Sequence, residues 1–239
     1  MVKLLLPTVS LAAFASIVSA HGYQETIEVN GKKYPAWHPF TDPYITPEPV
    51  TYARKIAGNG PVEDFTGPDI TCNAGGNTPA KGIIPIAAGD KVYMAKCTPD
   101  CANFKGDSGD VWVKIDEVAF NKNASPQWGS DLLAKQGATW TVTVPPELAP
   151  GEYLLRHEIL GLHVAGKEMG AQFYPACIQL DVTSGGSVEL PSGVALPGAY
   201  SPDDTDGILV ELWEVNSGQV EYIAPGGPVW SEAAPQLNG

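Results

Sequence analysis

Positive charge is scarce in this chain, which has 14 Lys and Arg residues against 27 Asp and Glu residues and a formal net charge of −13. A surface of this sign repels the phosphates of nucleic acids and of anionic membranes. We therefore expect no nucleic-acid partner and no membrane partner, whereas a neutral polymer carries no such penalty.

Long apolar runs are also absent, apart from one between residues 4 and 18 that follows Lys3. That run is too short to span a bilayer comfortably. It leads to small residues at Val18 and Ala20, which is the layout of a secretory signal peptide cleaved after Ala20. We therefore expect residues 1–20 to be a signal peptide, the protein to be secreted, and the mature chain to begin with His21.

Helical periodicity is almost absent, and 26 Gly and 22 Pro residues punctuate the chain. This pattern predicts many short strands with intervening turns, and a single helical turn at 130–135. Alternation is cleanest at Thr-Trp-Thr-Val-Thr-Val, residues 139–144, the signature of a half-buried strand. Without an internal repeat or a linker, residues 21–239 are predicted to form one all-β domain, an immunoglobulin-like or fibronectin-like β-sandwich with long loops. The predicted strands are 26–29, 83–86, 91–96, 111–115, 139–144, 153–159, 172–182 and 208–213.

Several catalytic motifs are missing. The chain has no Gly-rich phosphate loop, no Gly-x-Ser-x-Gly elbow and no His-Glu-x-x-His helix, so hydrolases of those kinds have no support. One modification motif is present, because Asn123-Ala124-Ser125 matches the acceptor sequence for N-glycosylation.

Cysteine is limited to four residues, Cys72, Cys97, Cys101 and Cys177. In an exported protein an even number predicts two disulfides, and three pairings are open. The wide spacing and the exported context make a four-cysteine zinc site the weaker interpretation.

Histidine is equally rare, with four residues, and the first of them has a special position. At the start of the mature chain, His21 offers its α-amine and its imidazole, which together can chelate one Cu(II) ion. The alternative is that His21 comes first by chance. His157 lies in a strand-like run in which Arg156 points to the opposite face, so we interpret it as a structural side chain.

His163 follows Gly161 and is expected at the end of a strand. The next strand opens with Gln172 and Tyr174, which are two residues apart and therefore share a face. A His, a Gln and a Tyr at adjoining strand ends can form a hydrogen-bonded cluster beside a metal. The alternative is three polar groups that are satisfied separately.

A loop at residues 34–44 is rich in aromatic side chains and proline. It is either a cover packed on the sheet or an exposed platform for flat ligands. Tyr44 lies at the end of this loop and is one candidate for such a contact.

Several short blocks of this chain together resemble a known family, the fungal lytic polysaccharide monooxygenases of auxiliary activity family 9, formerly glycoside hydrolase family 61. The resemblance runs from His21 to about Trp230. It is carried by His-Gly-Tyr at 21–23, Asn-Gly-Pro-Val at 59–62, Asp-Ile-Thr-Cys-Asn at 69–73, Tyr-Met-Ala-Lys-Cys at 93–97, Gly-Glu-Tyr-Leu-Leu-Arg-His-Glu at 151–158, Leu-His at 162–163, Gly-Ala-Gln-Phe-Tyr-Pro-Ala-Cys at 170–177 and Leu-Pro-Gly-Ala-Tyr at 196–200.

The resemblance implies a function and a set of site residues. His21 would give two nitrogens to one copper ion and Tyr174 would lie axially, while His163 and Gln172 would form the hydrogen-bonded surroundings. The disulfides would be Cys72–Cys177 and Cys97–Cys101. Cellulose or a related β-glucan would be oxidised at C1 or C4 by a monomeric enzyme with an external electron donor. Tyr44 and Tyr200 are the candidate substrate contacts.

One part of the family pattern is missing. The family's second copper histidine stands in a His-x-Gly-Pro stretch before Tyr-Met-Ala-Lys, but here Gly89-Asp90-Lys91-Val92 runs directly into Tyr93. Either a coding segment was dropped from the gene model, or the chain is a genuine variant and a non-catalytic carbohydrate- or copper-binding relic. His38 is the nearest candidate to fill the vacant position.

Overall fold

The first two strands of the described part of the chain form a β-hairpin. Strands β1 (Thr26–Val29) and β2 (Lys32–Pro35) pair antiparallel across Asn30 and Gly31, whose φ angles are 50° and 76°. A two-residue type I′ turn requires positive φ at both positions, which Asn and Gly tolerate. The computed structural model describes residues 22–87 and 93–234; the predicted signal peptide, His21 and residues 88–92 lie outside this part.

The main sheet has four strands in the order β3-β6-β5-β4, namely β3 (Ile84–Ala87), β4 (Tyr93–Lys96), β5 (Gly151–Gly161) and β6 (Gln172–Ser184). The central pair, β5 and β6, is antiparallel over its whole length, from Gly151 opposite Val182 to Gly161 opposite Gln172. Strand β3 lies parallel to β6, and β4 lies antiparallel to β5.

Helical structure is limited to short pieces. Two 3₁₀ turns span Asp42–Tyr44 and Pro68–Ile70, and helices α1 and α2 span Gly129–Lys135 and Leu212–Ser217. Within residues 22–87 and 93–234, no helix is long and apolar enough to cross a membrane.

The sheet is buried on both faces, because successive side chains of its central strands enter two different apolar clusters. Leu154 and Cys177 pack in one cluster with Trp112. Their neighbours Leu155 and Ile178 pack in the other. The loops that cover the sheet therefore supply much of the core, and their ends are held close to the strands.

Most strand predictions are confirmed, with small differences at the ends. Residues 26–29 form β1, 83–86 become β3, 153–159 lie within β5 and 172–182 within β6, while 130–135 lie in α1. Of the predicted strand 91–96, the described part is β4, and residues 91 and 92 lie outside the description.

Three predicted strands are wrong. Residues 111–115 make only single bridges, from Val113 to Met94 and from Trp112 to Val194. Residues 208–213 run irregularly into α2, which begins at Leu212. In 139–144 only Thr143 has a bridge position, although Val144 is buried as the alternation predicted. An alternation of apolar and polar residues indicates which side chains are buried. A β-strand also requires backbone hydrogen bonds to a neighbouring strand, which the alternation does not predict.

Candidate metal centre

The predicted cluster lies where β5 ends and β6 begins. Gln172 stands opposite Gly161, and Tyr174 stands opposite Ile159. The two side chains share a face of β6, and the Tyr174 hydroxyl donates a hydrogen bond to Oε1 of Gln172 at 2.8 Å. The strand register thus brings together two of the three predicted residues.

His163 joins them from the connection between the strands. A Cβ added to Gly161 would lie 3.4 Å from Nδ1 of His163 and 3.7 Å from Cβ of Gln172, so the imidazole and the Gln172 side chain flank the same glycine. The connection that carries His163 folds back tightly, because a Cβ at Gly170 would lie 2.0 Å from the carbonyl oxygen of Val164. Any larger residue at Gly170 would force this loop open.

The Tyr174 phenol is half-buried, and burial raises its pKa above the ordinary value of 10. The hydroxyl is therefore protonated at neutral pH, which agrees with its role as the donor to Gln172. His163 is exposed, so the cluster has one face toward solvent and one toward the core.

The two candidate substrate contacts have opposite environments. Tyr44 is 84% exposed at the end of its 3₁₀ turn, and Phe40 in the same loop is 55% exposed. Tyr200 is only 6% exposed, stacks on Phe173 with ring centroids 4.6 Å apart and donates a hydrogen bond to Oε1 of Glu158 at 2.8 Å. A ring held in this way has no free face for a glucan, so Tyr200 is left out of the proposed contact surface.

The aromatic loop is neither wholly a cover nor wholly a platform. Tyr34 and Trp37 are buried, whereas Phe40 and Tyr44 project into solvent. Phe40 is a candidate contact that sequence reasoning did not single out. Its aromatic neighbourhood was visible in the sequence, but its exposure was not.

Both disulfides of the expected pairing are formed. Cys72–Cys177 joins a covering loop to β6 with a Cα–Cα distance of 5.3 Å, and Cys97–Cys101 closes a turn after β4 with a distance of 5.0 Å. Asn123 lies exposed in a turn, where its backbone N–H donates to Oδ1 of Asn121. Glycosylation of Asn123 stays a prediction.

The sequence model of auxiliary activity family 9, formerly GH61, matches residues 21–92 and 91–222 of this chain. The chain belongs to auxiliary activity family 9. Members of this family are copper-dependent enzymes that cleave polysaccharides oxidatively.

Individual relatives agree with this membership. The AA9 family lytic polysaccharide monooxygenase A of Gloeophyllum trabeum is 40% identical, over 90% of this chain and 73% of that protein. Monooxygenase B of the same fungus is 39% identical, over 93% of this chain and 96% of that protein. The extended catalytic domain of H. jecorina LPMO9A superposes with a TM-score of 0.78 at 33% identity, over 91% of this chain and 94% of that chain. Because structures of this family are β-sandwiches, the predicted fold class is confirmed.

The alignments with these two relatives contain more positions than there are aligned residues in this chain. The alignment with monooxygenase A has 242 positions, whereas 90% of 239 residues is about 215 residues. The alignment with monooxygenase B has 249 positions, whereas 93% of 239 is about 222 residues. About 27 positions in each alignment therefore have no residue in this chain, and the family match itself is split at residues 91–92.

The part of this AA9 chain that the structure describes holds no cluster of side chains arranged as a metal site. His21, which the family resemblance assigns to the metal, lies outside the described residues. Within the described part, no group of three or more His, Cys, Asp or Glu residues is placed to hold a metal ion. The ring of His38 contacts Tyr23 edge-on, and its Nε2 lies 2.9 Å from the carbonyl oxygen of Glu25, which engages that nitrogen.

His157 is a histidine with a different role. It lies on β5 and lines a cavity beside the sheet, and burial together with the nearby Arg156 guanidinium lowers its pKa to about 4. The ring is therefore neutral at pH 7, as expected for a structural side chain.

This pKa predicts a pH dependence of stability. Between pH 6.5 and 4 the unfolded chain binds a proton at His157 that the folded chain does not, so stability falls as the pH falls through this window. We expect the loss to approach about 3 kcal/mol near pH 4. Urea unfolding at pH 6.5, 5.5 and 5.0 gives the free energy of unfolding at each pH. This free energy should fall less steeply with falling pH in His157→Asn than in the parent chain. An equal dependence of the free energy of unfolding on pH in the two proteins would contradict the prediction. The measurements stay at or above pH 5 so that protonation of ordinary carboxylates contributes little to the change in stability.

Proposed function

We propose that this AA9 protein is a secreted enzyme that cleaves the β-1,4-glucan chains of cellulose, oxidising C1 or C4 of a glucose unit with copper and an external electron donor. The observation that carries the proposal is the hydrogen bond from Tyr174 to Gln172, with His163 beside the same strand end. Family membership supports the oxidative chemistry, and the neutral charge of cellulose suits the acidic surface.

The residues of the chain have orienting roles in this proposal. Gln172 fixes the Tyr174 hydroxyl, whose raised pKa keeps it protonated. His163 is exposed and can donate to or accept from a group that approaches from solvent. Bound copper would supply the redox chemistry, while the protein orients the polysaccharide.

Product analysis tests the proposal directly. Cellulose is incubated with the secreted protein, Cu(II) and ascorbate, and the soluble products are examined by mass spectrometry. Oxidised cello-oligosaccharides above the level of a His21→Ala control support the proposal, with aldonic acids indicating C1 oxidation and 4-keto sugars indicating C4 oxidation. Product levels equal to that control would rule out catalysis by this chain.

Copper binding should depend on correct removal of the signal peptide. The chelate needs the free α-amine of His21, whose unperturbed pKa is near 8. A protein that retains Met1, or carries an added N-terminal residue, is expected to bind Cu(II) at least about 10-fold more weakly by calorimetry. Equal affinity of the two proteins for Cu(II) would show that His21 is not a copper ligand.

Tyr44 is the proposed contact with the glucan. Loss of its exposed ring in Tyr44→Ala should weaken adsorption to cellulose by about 1–2 kcal/mol, or about 5- to 30-fold. Trp213→Ala is a matched control, because Trp213 is 59% exposed and lies on α2, away from the Tyr44 loop in sequence. If both variants lose adsorption equally, the contact is not specific to Tyr44.

The missing nitrogen donor favours a second candidate, a non-catalytic protein that binds cellulose or copper. It predicts that the chain sediments with cellulose while no oxidised product appears, so turnover would exclude it. The genomic DNA around the codon for Val92 bears on the choice. An in-frame segment encoding His-x-Gly-Pro at that place would show that the complete protein has the missing donor.

A further inference from the structure

The connection between β5 and β6 carries an exposed methionine. The sequence has three methionines, of which Met1 belongs to the predicted signal peptide. Met94 on β4 is 0% exposed, whereas Met169 in the connection is 37% exposed. Within the described part of the chain, Met169 is therefore the methionine that a reagent in solution reaches.

The cysteine sulfur atoms do not compete for such a reagent. All four cysteines are held in the two disulfides, and each is at most 5% exposed. A thiolate would be the usual first target of peroxide in a protein. Because the cysteines are already oxidised and buried, the Met169 thioether is the accessible reduced sulfur of the described residues.

Met169 lies close to His163 along the folded loop. A Cβ added to Gly170 would lie 2.0 Å from the carbonyl oxygen of Val164, so the backbones of these two residues are in contact. Met169 directly precedes Gly170, and His163 directly precedes Val164. Both side chains are exposed, and each is one residue away from the same backbone contact.

The loop is anchored on both sides of its exposed tip. Ala165 is 0% exposed, and its N–H donates to the carbonyl oxygen of Leu162 at 3.1 Å. Ala171 is 4% exposed and packs in the apolar cluster that contains Leu162. A chemical change at Met169 therefore acts on a short segment with fixed ends, and His163 lies in that segment.

The backbone at Met169 does not explain why a methionine is present. Its φ angle is 57°, in the left-handed region, and the N–H of Gly170 donates to the carbonyl oxygen of Lys167 at 2.8 Å to close the turn. A Cβ makes this conformation costly, so Gly or Asn suits the turn better. The thioether is the chemical property that distinguishes methionine at this position.

We propose that Met169 is a site of reversible oxidation to methionine sulfoxide by hydrogen peroxide, and that the sulfoxide changes the environment of His163. A lone pair of the sulfur attacks one peroxide oxygen, so an S–O bond forms and the O–O bond breaks. The second oxygen takes the proton of the first and leaves as water. The sulfur loses two electrons and the peroxide gains them. Methionine sulfoxide reductases reverse the modification.

The modification replaces an exposed apolar group by a polar one that accepts hydrogen bonds. Its only reagent is peroxide, so the proposal stands apart from the proposed cleavage of cellulose. Copper, ascorbate and dioxygen together would be one source of peroxide, and the experiments below add the peroxide directly.

Peptide mass spectrometry tests the site. The metal-free secreted protein is treated with hydrogen peroxide in the presence of a chelator, and the gain of one oxygen is followed in the peptides that contain Met169 and Met94. Met169 should be oxidised at least about 10-fold faster than Met94, because susceptibility follows exposure. Equal rates in the folded protein would overturn the proposal.

Unfolding the protein in urea gives the control for this comparison. Both methionines are then exposed, and their oxidation rates should agree within about twofold. A preference for Met169 that persists in urea would show that the fold does not select it, and would overturn the argument from exposure.

Nuclear magnetic resonance of protein labelled with ¹³C-histidine tests the effect on His163. The His163 signal, assigned with His163→Asn, should move when Met169 is oxidised and should return after treatment with methionine sulfoxide reductases of both stereospecificities. Peroxide should leave the signal in place in the matched control Met169→Leu. An unmoved signal after complete oxidation of Met169, or an equal movement in Met169→Leu, would overturn the proposed effect on His163. Neither measurement uses copper or cellulose, so failure of the proposed activity leaves both results unaffected.

Discussion

Replacing Cys72 and Cys177 together by alanine is expected to lower the free energy of unfolding by about 4–5 kcal/mol. The bridge joins residues 105 apart in sequence and ties a covering loop to β6, and both cysteines are at most 1% exposed. Without it the unfolded chain gains the conformational freedom of a long loop, and the folded chain loses a cross-link within its core. Urea unfolding under oxidising conditions measures the change.

The matched control is the other disulfide. Cys97–Cys101 closes a separation of only 4 residues, so its replacement by alanine should cost about 2 kcal/mol. A larger loss from Cys97 and Cys101 than from Cys72 and Cys177 would contradict the loop-length argument. A protein at the lower end of the typical range, with a stability of about 5 kcal/mol, would be left marginal by the first variant and folded by the second.

Glu158→Leu is expected to destabilise the protein by about 3–5 kcal/mol. The Arg156 guanidinium is fully buried and donates to the carbonyl oxygens of Ile70 and Thr71 as well as to the Glu158 carboxylate. Removing the carboxylate leaves a buried cation without its counter-charge, and it deprives the Tyr200 hydroxyl of its acceptor.

The loss of stability on removing the carboxylate of an ion pair should depend on how deeply that ion pair is buried. Glu48 forms an ion pair with Lys55 at 2.8 Å, but its side chain is 34% exposed, so Glu48→Ala should cost much less stability than Glu158→Leu. Chemical denaturation of both variants gives the comparison. A loss below about 1 kcal/mol in Glu158→Leu would show that water or rearrangement compensates the Arg156 charge.

Much of this protein is determined by its sequence. The runs 153–159 and 172–182, which are rich in apolar and aromatic residues, identify the central strands, because a strand buried on both faces has apolar side chains at successive positions. The two-residue spacing of Gln172 and Tyr174 places them on one face, and Asn30 with Gly31 specifies the hairpin turn. For the cysteines, the residues left three pairings open, and the family resemblance indicated the pair that is formed.

The tertiary structure alone decided which side chains are accessible and which strands find partners. Tyr44 and Tyr200 are the same residue type near turns, yet one is in solvent and the other is stacked on Phe173. Residues 139–144 have the cleanest alternation in the chain but form no strand. Accessibility and pairing depend on what lies next to a segment in space, and a pattern within one segment does not contain that information.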